Sequence, residues 1–163
     1  MGSFVLSVSG LQQVTDTLKK QAKKFESTGH VCLVGINEKE GSQIHPDGEN
    51  ETIAQIASKN QFGGKTSDGR VIPARPFVDK GVDSVKQKIV RDIEESMAKG
   101  SGDVRALSRA GLIAVGGIRQ YMTDLRTPPN SPMTIALKGS DNPLIDTGLL
   151  RNSITSVIVK GAK

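Results

Sequence analysis

One carboxylate in this chain stands in a run associated with acid–base catalysis: Asp146, followed by Thr147 and Gly148. Asp-Thr-Gly carries the carboxylate of aspartic proteases, which need two such carboxylates sharing one proton. In those enzymes small residues and a strand follow the loop, whereas Leu-Leu-Arg follows it here. We therefore expect Asp146 or Thr147 to cap a short helix by accepting its free N–H groups, with Arg151 closing the turn. Asp146 is our first choice for the cap.

Two other arrangements could bind a ligand. Gly64-Lys65-Thr66 resembles the end of a phosphate-binding loop, but that loop needs a glycine five positions before Gly64, where Lys59 stands. His30 and Cys32 would share one face of a strand and could form part of a zinc site, which needs at least three protein ligands. The remaining histidine, His45, lies on a distant loop, and the chain has no second cysteine, so a complete zinc site is not expected. Cys32 is expected to be a buried small hydrophobe. We predict no catalytic, cofactor-binding or metal site, and no enzymatic activity.

Length and composition narrow the classes of protein further. A chain of 163 residues fits a single domain spanning residues 1–163. Aromatic residues make up 3% of it, with no tryptophan, so single-strand nucleic-acid binding by base stacking is disfavoured. The single cysteine excludes an intrachain disulfide and fits a reducing compartment. No apolar stretch approaches the roughly 20 residues of a membrane span, so we expect no membrane association.

A first amphipathic helix is predicted within residues 1–29, because apolar side chains recur there at helical spacing. These side chains are Leu11, Val14, Leu18, Ala22 and Phe25. The net charge is +5, and four lysines cluster on the same segment, namely Lys19, Lys20, Lys23 and Lys24. They would form a mildly positive surface able to face DNA or an acidic partner. A cytoplasmic nucleic-acid-binding domain that uses this basic helix face is therefore an alternative function.

The two strongest helical patterns cover residues 77–98 and 104–125, each with one apolar stripe. Gly111, Gly116 and Gly117 weaken the second helix, and they would let another backbone approach closely. β-branched or apolar runs predict strands at 31–36 and 154–160, which we expect to pair. Shorter features are a polar surface loop at 37–50, a helix at 51–60, an extended segment at 71–75 and one helical turn at 131–136. This pattern predicts an α+β fold, a small, mainly antiparallel sheet with two or three long helices on one face.

Two proline-rich segments are expected to be rigid. Pro73 and Pro76 restrict the residues between them, so Arg75 should point in a fixed direction towards a carboxylate or a backbone carbonyl. Pro76 also suits the first position of the following helix. Residues 126–145, hereafter the proline-rich loop, hold four of the seven prolines. Loops of this length are uncommon in compact domains and are usually functional or disordered, and we predict an arm that lies on an adjacent subunit.

Three segments together carry a resemblance to a known family: "IPARPFV" (72–78), "PPNSPMTIALKG" (128–139) and "PLIDTGLLRNSI" (143–154). In this order they resemble the neck and tail-completion proteins of tailed bacteriophages. That group includes the virion-morphogenesis proteins of Mu-like phages and the minor tail protein Z group of lambda-like phages. "SKNQFGG" (58–64) stands where that group has a "HE-FG" element, and the resemblance covers roughly residues 30–160.

The resemblance implies a structural subunit that forms a ring and joins head to tail around the DNA channel. A hexamer is favoured and a dodecamer is possible. The implied partners are other phage neck proteins and the tail tube or its terminator, with DNA passing through the lumen without sequence-specific binding. The expected location is the neck or tail of the virion, after assembly in the host cytoplasm. The interface candidates are Arg75, Pro76, Phe77, Pro128, Pro129, Pro132, Asp146, Thr147 and Arg151.

Overall fold

A computed structural model of the protein describes residues 29–36, 38–46, 50–66, 69–100 and 102–160. The predicted helix of residues 11–25 lies outside these ranges. Among the described residues, none of the helices combines the length and the apolar character needed to cross a membrane. The elements in chain order are β1 (His30–Ile36), α1 (Glu38–Gly41), α2 (Ile53–Phe62), β2 (Gly64–Lys65), β3 (Val71–Ile72), α3 (Phe77–Ala98), α4 (Asp103–Asp124), α5 (Pro132–Lys138), α6 (Leu149–Asn152) and β4 (Ile154–Lys160).

The main sheet joins the two ends of the described chain. β1 pairs with β4 antiparallel, from His30 opposite Lys160 to Ile36 opposite Ile154, which confirms the predicted pairing. A second antiparallel pair, β2 with β3, forms a short hairpin. An isolated bridge between Ile44 and Thr52 closes the polar loop predicted at 37–50, which also contains the single turn α1.

α3 and α4 are the two long helices, and they lie within one residue of their predicted limits. The two helices approach each other closely where glycines face the neighbouring helix. A Cβ atom on Gly81 would lie 2.4 Å from the Cα of Ile118, and one on Gly117 would lie 2.6 Å from the carbonyl oxygen of Gly81. Neither position tolerates a side chain without movement of backbone, so these glycines set the spacing of the helix pair.

α4 packs against α3 and also against both strands of the main sheet. Gly111 allows the second contact, because a Cβ atom there would lie 2.7 Å from the Sγ of Cys32 and 2.8 Å from the Cβ of Ser156. The expectation of close approach is therefore confirmed at Gly111 and Gly117. It is wrong at Gly116, which faces open space.

The hydrophobic core lies around α4, which has α3 on one side and the main sheet on the other, and the α+β class is confirmed. Its buried members are Ile53, Ala57, Phe77, Val82, Ala114, Val115, Ile118, Met122, Leu125, Leu144, Leu150 and Ile154. Valine, isoleucine and leucine dominate this set, as the scarcity of aromatic residues required. Phe77 is the one aromatic side chain among these buried core members, at 1% exposure.

The opposite face of the main sheet is also apolar. Successive strand residues alternate between faces, so the face away from Ile36 and Ile154 carries the apolar residues Val31, Leu33, Val157 and Val159, with Gly35 and Thr155 at one end. Leu33 is 55% exposed and its partner Val157 is 41% exposed. We call these four residues the outer face of the sheet.

Two helix starts differ from prediction for local reasons. α2 begins at Ile53 rather than at residue 51, because Thr52 and Gln55 form a reciprocal capping box: the Thr52 hydroxyl accepts from the Gln55 N–H, and the Gln55 side chain accepts from the Thr52 N–H. Pro76 is the N-cap residue of α3 rather than its first helical residue. α5 extends the single predicted turn at 131–136 to seven residues.

Candidate functional site

Arg75 is the centre of the candidate site and is buried, with 4% of its surface exposed. Its Nε–H donates to the carbonyl of Pro128 at 2.9 Å, and its Nη2 donates to the carbonyl of Pro129 at 3.1 Å and to Asn130 Oδ1 at 3.2 Å. Its Nη1 donates to Asn60 Oδ1 at 3.0 Å. The guanidinium thus joins the end of α2 to the start of the proline-rich loop.

The backbone around Arg75 holds the side chain in this position. The Arg75 N–H donates to the carbonyl of Asn60 at 2.6 Å, and the Phe77 N–H donates to the carbonyl of Arg75 at 2.6 Å. Phe77, next but one along the chain, is anchored in the core. Burial lowers the pKa of the Arg75 guanidinium from its usual value, because a low-dielectric environment disfavours the charged form. The N–H groups of the guanidinium offset part of this desolvation cost by donating hydrogen bonds to oxygens held in fixed positions.

A second anchor holds the other end of the proline-rich loop. Asn142 is 6% exposed, and its Nδ2 donates to the carbonyls of Met122 and Thr123, at 3.1 and 2.9 Å, near the end of α4. Its Oδ1 accepts from the N–H groups of Leu144 and Ile145, at 2.8 and 2.9 Å. A direct link between the two ends is a long contact of 3.5 Å from Asn130 Nδ2 to the Asn142 carbonyl. Both ends of the loop are therefore hydrogen-bonded to their own domain, and contact of the loop with an adjacent subunit stays a prediction.

The middle of the proline-rich loop is the part that projects. The Ser131 hydroxyl accepts from the Thr134 N–H and caps α5, Pro132 occupies its first position, and Gly139 ends it in the left-handed conformation. Met133 and Leu137 lie one helical turn apart and therefore on the same face. They are 64% and 81% exposed. A short helix held at both ends thus presents an apolar face to solvent.

The Asp-Thr-Gly segment has a different cap from the one predicted. Asp146 is exposed, and the N-cap position of α6 is taken by Gly148, in the left-handed conformation at φ 81° with no side-chain cap bond. The Thr147 hydroxyl accepts a long 3.4 Å bond from the Leu149 N–H and lies 3.4 Å from His45 Nε2. The choice of Asp146 as the cap is therefore wrong, because Gly148 takes the N-cap position and the N–H of Leu149, the first residue of α6, bonds Thr147 rather than Asp146. Arg151 lies in the last turn of α6, as expected.

Residues of the other two candidate ligand sites belong to strands β1 and β2, where they make contacts that support the fold. His30 Nδ1 donates to Asp103 Oδ2 at 3.2 Å, which ties the start of β1 to the start of α4. Cys32 is half-buried rather than fully buried, and this partial burial raises the pKa of its thiol. Gly64 and Lys65 form strand β2 and do not open a helix. Within the described ranges there is no group of three or more histidine, cysteine, aspartate or glutamate side chains placed to hold a metal ion.

The structure brings together three of the nine interface candidates, Arg75, Pro128 and Pro129, at one set of hydrogen bonds. Pro76 and Phe77 begin α3, and Pro132 begins α5. Asp146, Thr147 and Arg151 belong to the turn around α6. Sequence reasoning missed Asn60 and Asn142, whose amides supply acceptors and donors at the two anchors. The signal available in the sequence was that both asparagines stand close to proline or glycine residues, where asparagine side chains often bond backbone groups.

Comparison of the chain with family models, with curated proteins and with solved structures gave no match in any of the three.

Proposed function

We propose that this protein is a structural virion subunit that forms a ring at the neck, or at the head-proximal end of the tail, of a tailed bacteriophage. Its role is to join head to tail around the DNA channel. The ring would be a homo-oligomer in the virion, with a hexamer as the favoured stoichiometry. The subunit has no catalytic part in this role, and DNA passes through the lumen without sequence-specific contacts.

One observation carries the proposal: the segments on which the resemblance rests meet in space. Arg75 of "IPARPFV" donates to Pro128 and Pro129 of "PPNSPMTIALKG". Leu144 and Leu150 of "PLIDTGLLRNSI" are buried in the same core as Phe77. Sequence segments more than 50 residues apart therefore support one local structure. Because the three segments build one local structure, they would be expected to occur together in one chain.

The shape of this local structure supports assembly with other subunits. Anchoring both ends of the proline-rich loop restricts the positions open to α5 before any partner arrives, which reduces the conformational entropy lost on association. Its exposed face, Met133 and Leu137, is apolar. Exposed apolar groups on a rigid element are a recurrent feature of protein interfaces. α5 is therefore the part of the loop that would lie on the neighbouring subunit.

Light scattering and negative-stain microscopy of the purified protein, alone and with tail tubes, test the proposal. We expect closed rings, or assembly at tube ends, and we expect Leu137→Asp to weaken both. Leu112→Asp is the matched control, because Leu112 is similarly exposed, at 65%, but lies on α4. A chain that stays monomeric with phage components and binds DNA tightly and in a salt-dependent manner would refute the ring and favour the nucleic-acid-binding alternative.

A genetic experiment tests the role itself. A phage that carries this gene should, when the gene is deleted, accumulate filled heads and finished tails that fail to join. Supplying the wild-type protein in trans should restore infectious particles, and supplying Leu137→Asp should restore fewer. Normal infectious particles from the deletion phage would show that the protein has no part in joining.

A further inference from the structure

We draw no further inference here: the strongest candidate, the apolar patch of Val31, Leu33, Val157 and Val159 on the outer face of the β1–β4 sheet, carries none because nothing in the described part of the chain shows what covers it.

Discussion

Replacing Arg75 with alanine should destabilise the protein by about 3 kcal/mol. The variant loses four hydrogen bonds from a charged donor, to Pro128, Pro129, Asn130 and Asn60. At about 1.5 kcal/mol each, their sum would be about 6 kcal/mol. Two effects reduce it: burying the guanidinium has its own desolvation cost, and the exposed Pro129 lets water reach part of the site. About half of the sum should remain.

The assay is equilibrium unfolding in urea together with the thermal midpoint. For a domain of this size, 3 kcal/mol corresponds to a decrease of about 6–12 °C. Arg75→Lys should lose about 2 kcal/mol, because an ammonium group keeps the charge but cannot reach acceptors spread around a planar fork. Trypsin should also cut after Arg126 faster in both variants, since the loop start is released. Arg105→Ala, at an exposed position on α4, is the control and should change stability by less than about 0.5 kcal/mol. A loss below about 1 kcal/mol for Arg75→Ala would refute the assignment of Arg75 as the anchor.

Three further predictions concern packing, capping and ionisation. Gly81→Ala should lower the unfolding free energy by about 3 kcal/mol or more in a denaturant titration, because its Cβ would overlap the backbone of α4. Gly116→Ala, at a position that faces open space, should raise the unfolding free energy by about 0.5–1 kcal/mol through helix propensity. Equal effects of the two variants would refute the packing of the helix pair. Asn142→Ala should lower the unfolding free energy by about 2–4 kcal/mol, since it leaves buried backbone groups without partners. Asp146→Ala should change the unfolding free energy by less than about 0.5 kcal/mol. A loss of about 1 kcal/mol for Asp146→Ala would indicate that Asp146 caps α6 after all. The pKa of Cys32 is raised in the folded protein, so its contribution to stability should be complete below the unfolded thiol pKa of about 8.5 and should decline as the pH rises from there through the folded pKa. Cys32→Ser should remove that decline in stability. An unchanged pH profile of stability in the variant would contradict the burial of the thiol.

Sequence reasoning located the elements whose signal is periodic. α3 and α4 were predicted within a residue because each carries an apolar stripe bounded by proline or glycine, and β4 because Ile154–Lys160 is rich in β-branched residues. The pairing of β1 with β4 followed because both runs are apolar enough for a shared core. The limits of these helices and strands depend on local spacing, which one sequence contains in full.

Features that depend on contacts between distant residues were not predictable in the same way. The importance of Gly81 comes from Ile118, which is 37 positions later in the chain and leaves no mark near residue 81. The anchoring of the proline-rich loop depends on Asn60 and Asn142, whose amides could equally have faced water. Asp146 has the composition of a cap, but the left-handed turn at Gly148 decides where α6 starts, and that turn is a property of backbone geometry.

The four acceptors around Arg75 are all carbonyl oxygens of proline and asparagine residues. Such oxygens do not titrate, and a guanidinium stays protonated throughout the physiological pH range. Screening by salt acts mainly on exposed charges rather than on a buried group bound to neutral dipoles. The attachment of the proline-rich loop should therefore be indifferent to acidity and ionic strength, so that α5 keeps its position in conditions where exposed ion pairs are weakened.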